Sequence, residues 1–337
     1  MKFTHLHVHS HYSLLDGLAK IGELVGRCKE LGMDSLALTD HGALYGAIEF
    51  YQKALKAGIK PIIGAEMYVA YEGMGDKRPG IDDKRYHLTL LAKNLEGYHN
   101  LVKLVTKSHL EGFYYKPRID KNLLRQHSAG LIGLSGCFTG EISRAVENKK
   151  PELAERLIGE YQDILGKENF YLEIMPHFNF ENQRRTNEAL ATLSQKTGAK
   201  LVATNDIHYV RPEDAEAQDI LVSVQTGNIV SEENRLTMKE ANLSMRSPEE
   251  MAALFPDHPE AIAATQEIAE KVNIEIPLGS WTFPNFKVPG GTTHDEELRR
   301  LTYAGITDRG LEKTPEIEQR LRYELEIIKD KGFSPYF

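Results

Sequence analysis

The chain has 337 residues, 41% hydrophobic and 27% charged, a balance that fits one large globular domain or two smaller ones. Its formal net charge of −8 excludes a surface that grips nucleic acid by general phosphate neutralisation, so any such contact is local or supplied by a longer protein. No apolar run approaches the ~20 residues of a membrane helix, and the opening MKFTHLHVHS puts histidines where an export signal needs an apolar core. Two distant cysteines, Cys28 and Cys137, argue against a disulfide framework and for a cytoplasmic location.

In chain order, β-type runs are expected at 3–9, 35–39, 61–69, 87–92, 130–135, 170–175 and 200–204. Helix-period stretches at 19–31, 43–57, 95–110, 140–146, 151–165 and 179–197 separate most of them. Apolar strands alternating with helices predict a parallel sheet covered by helices. About seven such units close into a barrel, and an open doubly wound sheet is the alternative. Further helices are expected at 212–225, 248–254 and 259–272. The stretch 276–291, with Pro277, Pro284 and Pro289, reads as a linker, followed by helices at 295–309 and 315–331. The closing GFSPYF reads as an interior segment of a longer protein.

The chemistry begins in HLHVHSHYSLLDG. Residues at i and i+2 share one face of a strand, so His5, His7 and His9 lie side by side. A divalent metal turns three crowded imidazoles from a liability into a ligand set, and Asp16 can return past the turn as an oxygen ligand. Asp40 and His41 close an apolar run, at the kind of strand end where α/β folds place their sites. Glu66 interrupts PIIGAEMYVA, where an unpartnered carboxylate would be costly. His87 opens its strand, which leaves its direction open, and Cys137 follows another apolar run. Asp206 and His208 again stand two apart after a strand. Histidines with carboxylates and at most one thiolate suit a catalytic multi-metal site better than a closed structural zinc. Adjacent metals suit phosphoester hydrolysis, with hydroxide drawn from water and no side-chain nucleophile.

Together, HLHVHS, DG, LTDHG, GAE, YHLTLLAKN, LSGC and ATNDIHYV resemble the PHP (polymerase and histidinol phosphatase) domain. GLAKIGELVGRCKELGMDSLALTDHGALYG and GFYYKPRID resemble the PHP region of bacterial DNA polymerase III alpha subunits. The resemblance runs over essentially the whole chain. It implies a distorted (β/α)7 barrel over 1–280 and, over 281–337, a short helical segment leading into a polymerase palm whose metal-binding aspartates lie beyond this chain. It places up to three divalent ions, zinc with manganese or iron as alternatives, on His7, His9, Asp16, His41, Glu66, His87, Cys137, Asp206 and His208. Asp206, His208 and His9 would then act through hydroxide generated at the metal.

The implied activity is 3′–5′ proofreading of a DNA primer end within a replicative polymerase. Its partners would be other polymerase subunits, a sliding clamp and a separate proofreading subunit. The alternatives are an inactive metal-braced scaffold and a histidinol-phosphate-type phosphatase.

Other residues carry weaker expectations. His5 reads as a packing residue or a support for the ligands. His11, His99 and His177 read as surface or structural, with Glu173 and His177 also at the site edge. Asp40 is a candidate to orient an imidazole. Residues 112–125, with Phe113, Tyr114, Tyr115, Lys116, Arg118, Lys121 and Arg125, read equally as a DNA contact and as a loop pinned by aromatics. The Glu-rich helices near the end read as solvated faces.

Overall fold

The structure, a computed structural model, describes residues 2–177, 181–232, 234–284 and 286–337; the expected helix start at Asn179 and Asn285 of WTFPNFKVP lie outside the described residues. The chain divides into two compact units, Met1–Glu275 and Ile276–Phe337.

The first unit is built on strands β1 (Ser35–Leu38), β2 (Lys60–Ala70), β3 (Arg85–Ala92), β4 (Phe113–Tyr114), β5 (Lys116–Ile119), β6 (Leu131–Leu134), β7 (Phe170–Ile174) and β8 (Lys200–Ala203). β1, β2, β3, β6, β7 and β8 are neighbours in that order. The amino-terminal segment then closes the ring. His5 bridges Leu36 of β1, and Val8 bridges Ile207 just after β8. His9 N–H donates to the Ile207 carbonyl at 2.7 Å, and Ile207 N–H to the His7 carbonyl at 3.1 Å. Six strands and this segment thus make the seven-membered barrel, and the open-sheet alternative falls away.

The barrel departs from its expected form in two places. Residues 3–9 form isolated bridges rather than a continuous strand, because side-chain hydroxyls take over ladder positions. Val8 N–H donates to Thr39 Oγ1 at 2.8 Å, and Thr4 N–H to Thr265 Oγ1 at 3.2 Å. β3 runs antiparallel to both β2 and β6. Its connection from β2, residues 71–84, contains no helix, and antiparallel neighbours need none. The remaining ring pairs, β1–β2, β6–β7 and β7–β8, are parallel. Their strands are buried almost throughout, as sheets covered on both faces require.

Within the 112–125 segment the β4–β5 hairpin extends the sheet beside the end of β2, and a short helix, Lys121–Gln126, follows it. Two of its cations are committed internally. Arg118 is fully buried and donates to the carbonyls of Gly112, Asp82, Met74 and Asp76 at 2.7–3.1 Å. Lys121 pairs with Glu141 and Glu160, each at 2.8 Å. Phe113 and Tyr115 remain exposed. Arg118→Ala is therefore expected to cost on the order of 3–5 kcal/mol of folding stability by orphaning several carbonyls at once. Urea unfolding checks this, and a midpoint unchanged from wild type would refute it.

The second unit holds two helices, His294–Asp308 and Pro315–Asp330, capped by the hydroxyls of Thr293 and Thr314. Phe283 and Trp281 rings lie against Phe333, at centroid distances of 5.2 and 6.4 Å.

Candidate metal centre

One barrel mouth collects the titratable residues. His7 and His9 end the amino-terminal segment, His41 follows β1, Cys137 follows β6, and Asp206 and His208 follow β8. Glu66 lies within β2, bridged to His41. His87 lies near the start of β3, and the reversed direction of that strand brings its start to the mouth where the parallel strands end.

Glu66 is the hub. Its carboxylate lies 2.7 Å from His41 Nδ1 and His87 Nδ1, 3.3 Å from His7 Nε2 and 3.5 Å from His9 Nε2. Cys137 Sγ is 3.9 Å from it and 3.6 Å from His87 Nδ1. Asp206 Oδ1 faces both His7 Nε2 and His9 Nε2 at 3.3 Å. Asp16 stands at the other side, 2.9 Å from His41 Nε2 and 3.6 Å from His208 Nε2. The His9 ring lies 4.2 Å from that of His41 and 4.5 Å from that of His208. All nine expected ligand positions thus meet at one mouth. Asp206 holds a positive φ of 50°, uncommon for a residue with a side chain and often a mark of a functional site.

The surroundings fix which imidazole nitrogen faces inward. His7 Nδ1–H donates to Glu173 Oε1 at 2.7 Å, leaving Nε2 toward Glu66 and Asp206. Ser13 gives its hydroxyl proton to Asp40 at 2.8 Å and so accepts from His9 Nδ1–H at 2.9 Å. His208 Nδ1–H donates to the Asp206 carbonyl at 2.8 Å. In all three it is Nε2 that faces the interior, the arrangement metal-binding histidines use.

Burial opposes charge on these groups, and their neighbours resist it. Asp206, Glu173 and Glu66 hold His7 well above the usual imidazole range against burial. Asp16 and Asp206 likewise push His208 up to about 9. His9 falls to about 3 through burial and the adjacent His41 and His208. Glu66 and Asp206 stay below the usual carboxylate range because imidazoles surround them, although burial works the other way. Burial, Glu66 and Asp206 raise the Cys137 thiol.

The donor set fits divalent cations. His7 Nε2, His9 Nε2, Glu66 Oε2 and Asp206 Oδ1 are buried without hydrogen-bond partners although they converge within one site, which is costly unless a cation lies between them. Three overlapping groups have ligand atoms within 4.8 Å of one another: His9, His41 and His208; His7, His9 and Glu66; His41, Glu66 and His87.

Residues 5–177 match the PHP domain family. The chain belongs to that family. Outside the PHP match the likeness continues. The chain is 45% identical over 339 residues to the DNA polymerase III subunit alpha of Borreliella burgdorferi and 41% identical over 345 residues to that of Thermus aquaticus. These alignments cover 100% and 99% of this chain but only 29% and 28% of the relatives, so the chain spans under a third of their length. An amidohydrolase structure from Chromobacterium violaceum, with bound sulfate, is similar over 61% of this chain and 87% of its own, at a TM-score of 0.43 and 16% identity.

Around this PHP centre some supporting roles differ from expectation. Asp40 does not touch an imidazole. It accepts from Ser10 N–H, Ser10 Oγ and Ser13 Oγ, and acts on His9 through Ser13. Ser13 itself carried no sequence signal beyond lying in the histidine motif. Glu173, a weak edge candidate, is the direct partner of His7 and also accepts from Thr204 Oγ1 at 2.5 Å; a carboxylate inside the apolar run FYLEIM was the available sign. His5 points away, to the Arg246 carbonyl at 2.9 Å. His11 is exposed with its ring tilted against that of Tyr12, centroids 4.2 Å apart, and the His99 ring lies 6.0 Å from Tyr98. His177 is buried, so the surface reading does not hold for it, and burial lowers it to about 4.

Replacing Glu173 by Gln is expected to weaken metal binding about 10–100-fold by loosening His7. Competition with a chromogenic chelator measures this, and an unchanged affinity would show that the His7 contact is dispensable.

Proposed function

We propose that this chain is the PHP-bearing part of a replicative DNA polymerase alpha subunit and that its metal centre hydrolyses the 3′-terminal phosphodiester of a primer strand. The observation that carries the reading is the convergence of nine ligand-capable side chains, five of them histidines, at a mouth that stays partly open. The floor, His7, His9 and Glu66, is sealed, while the side chains of Asp16, His41, His87 and Asp206 keep 13–19% of their exposure. A substrate phosphate can reach the rim without unfolding the floor.

Divalent ions held there, zinc or alternatively manganese or iron, would polarise the phosphate and lower the pKa of water. The protein's own part is to hold His7, His9 and His208 in the ligating tautomer and to keep Glu66 and Asp206 ionised. His9, Asp206 and His208 would act through the hydroxide generated at the metal they hold, His9 from the sealed floor. The likeness to polymerase alpha subunits supports a DNA substrate, a cytoplasmic setting, and partners among polymerase subunits, a sliding clamp and a proofreading subunit. In the second unit, the two helices would lead toward the polymerase palm. No helix among the described residues is long and apolar enough to cross a membrane.

The test combines metal counting by elemental analysis with an assay on a 3′-labelled primer bearing an unpaired end. Metal-dependent shortening from the 3′ end, lost in a His9→Ala, Asp206→Ala double variant, is the expected result. Bound metal without cleavage in zinc, manganese or iron would transfer the case to a metal-braced scaffold.

A further inference from the structure

A groove of about 870 Å³ opens beside the centre. His87 and Thr139 form its inner wall; His87 contacts Glu66 at 2.7 Å and Thr139 Oγ1 contacts Cys137 Sγ at 3.0 Å. The groove therefore starts at the metal ligands. Lys84, Arg85 and Lys150 line it farther out, with the rings of Tyr71 and Tyr86, whose centroids are 6.3 Å apart.

Acidic residues line the groove too, but two of them are spoken for. Glu72 pairs with Arg78 at 2.6 Å, and Glu141 pairs with Lys121 at 2.8 Å and accepts from the Tyr161 hydroxyl at 2.9 Å. Arg144 is likewise engaged, by Glu147 at 2.7 Å. What remains is Asp83 against Lys84, Arg85 and Lys150, none of which pairs with a carboxylate among the described residues. A protein of net charge −8 thus keeps a local cationic, aromatic track next to its metal centre. Phosphates suit the cations, and unpaired bases suit exposed aromatic rings; a duplex, whose bases already stack on each other, gains little from the rings.

We propose that this groove binds single-stranded nucleic acid, with the backbone on Lys84, Arg85 and Lys150 and bases against Tyr71 and Tyr86, and delivers the strand end past His87. Delivery rests on the proposed phosphodiesterase reading; binding does not.

The test measures fluorescence anisotropy of the 337-residue chain with a short labelled oligothymidylate and with the corresponding duplex. A Lys84→Glu, Lys150→Glu variant alters two exposed side chains. It is expected to lose at least about tenfold in single-strand affinity and to flatten the salt dependence by about 1.4 in log–log slope, from ~0.7 per lost phosphate contact. Tyr71→Ala, also exposed, is expected to cost about tenfold without changing the slope. A Lys29→Glu, Lys56→Glu variant applies the same charge change on two helices, at residues that do not line the groove, and is expected to bind as wild type. Equal losses in both charge variants, no single-strand binding by wild type, or tighter binding of the duplex would each overturn the groove. Wild-type hydrolysis of bis-p-nitrophenyl phosphate, read alongside, separates the two ideas. Groove-dependent binding without ester hydrolysis sinks the reaction and keeps the groove, and hydrolysis with groove-independent binding does the reverse.

Discussion

Glu66→Gln is expected to remove most bound metal and, with it, phosphoester hydrolysis. One carboxylate lies 2.7–3.5 Å from four imidazoles contributed by the amino-terminal segment, the loop after β1, and β3. The amide keeps the shape and discards the charge. Uncompensating a buried ionic cluster costs on the order of 3–5 kcal/mol, which corresponds to roughly two to three and a half powers of ten in affinity if it appears in metal binding. Elemental analysis after dialysis, followed by titration against a chromogenic chelator, reads the effect. Wild-type metal content in the variant would show that Glu66 is a spacer between imidazoles rather than a ligand.

Chelation is expected to lower the melting temperature by about five to ten degrees. Without a cation, His7, His41 and His208 are held toward their charged forms around His9. The carboxylates balance these charges, but buried donors and acceptors among them stay without hydrogen-bond partners, a cost that a cation relieves. Metal at about one hundred times its dissociation constant contributes about 2.7 kcal/mol to the folded state, and a domain of this size shifts by roughly 2–4 degrees per kcal/mol. Differential scanning calorimetry before and after chelation, then after adding zinc or manganese back, makes the measurement. A melting temperature indifferent to chelator in a sample shown to have lost its metal would mean that the imidazole cluster is relaxed without a cation.

Much of this convergence could be read from the chain because its candidate ligands sit where strand periodicity stops. His7 and His9 share a face by alternation, and His41, Cys137 and Asp206 each follow an apolar run. The direction of β3 could not be read, since RYHLTLLA is equally apolar whichever way it runs; the helix-free 71–84 connection was the available clue. The roles of Ser13 and Asp40 were hidden for another reason. A hydroxyl shared between His9 and Asp40 depends on a turn that brings residue 13 back over residue 9, and composition does not encode that return. Arg118 shows the opposite hazard. Beside Tyr114 and Tyr115 it looks like a phosphate contact, yet its guanidinium is spent on four backbone carbonyls.

The closure of the barrel has a consequence for how the protein is made. The histidine-bearing segment leaves the ribosome before the strands it joins, and its partner Ile207 lies about 200 residues later. At a synthesis rate of ~5–20 residues per second the segment waits roughly ten to forty seconds for that partner. During that interval the candidate metal ligands His7 and His9 are already translated while Asp206 and His208 are not. The last gap in the ring and the last ligands of the centre are filled by the same short stretch of chain, so the ring and the full ligand set are completed together.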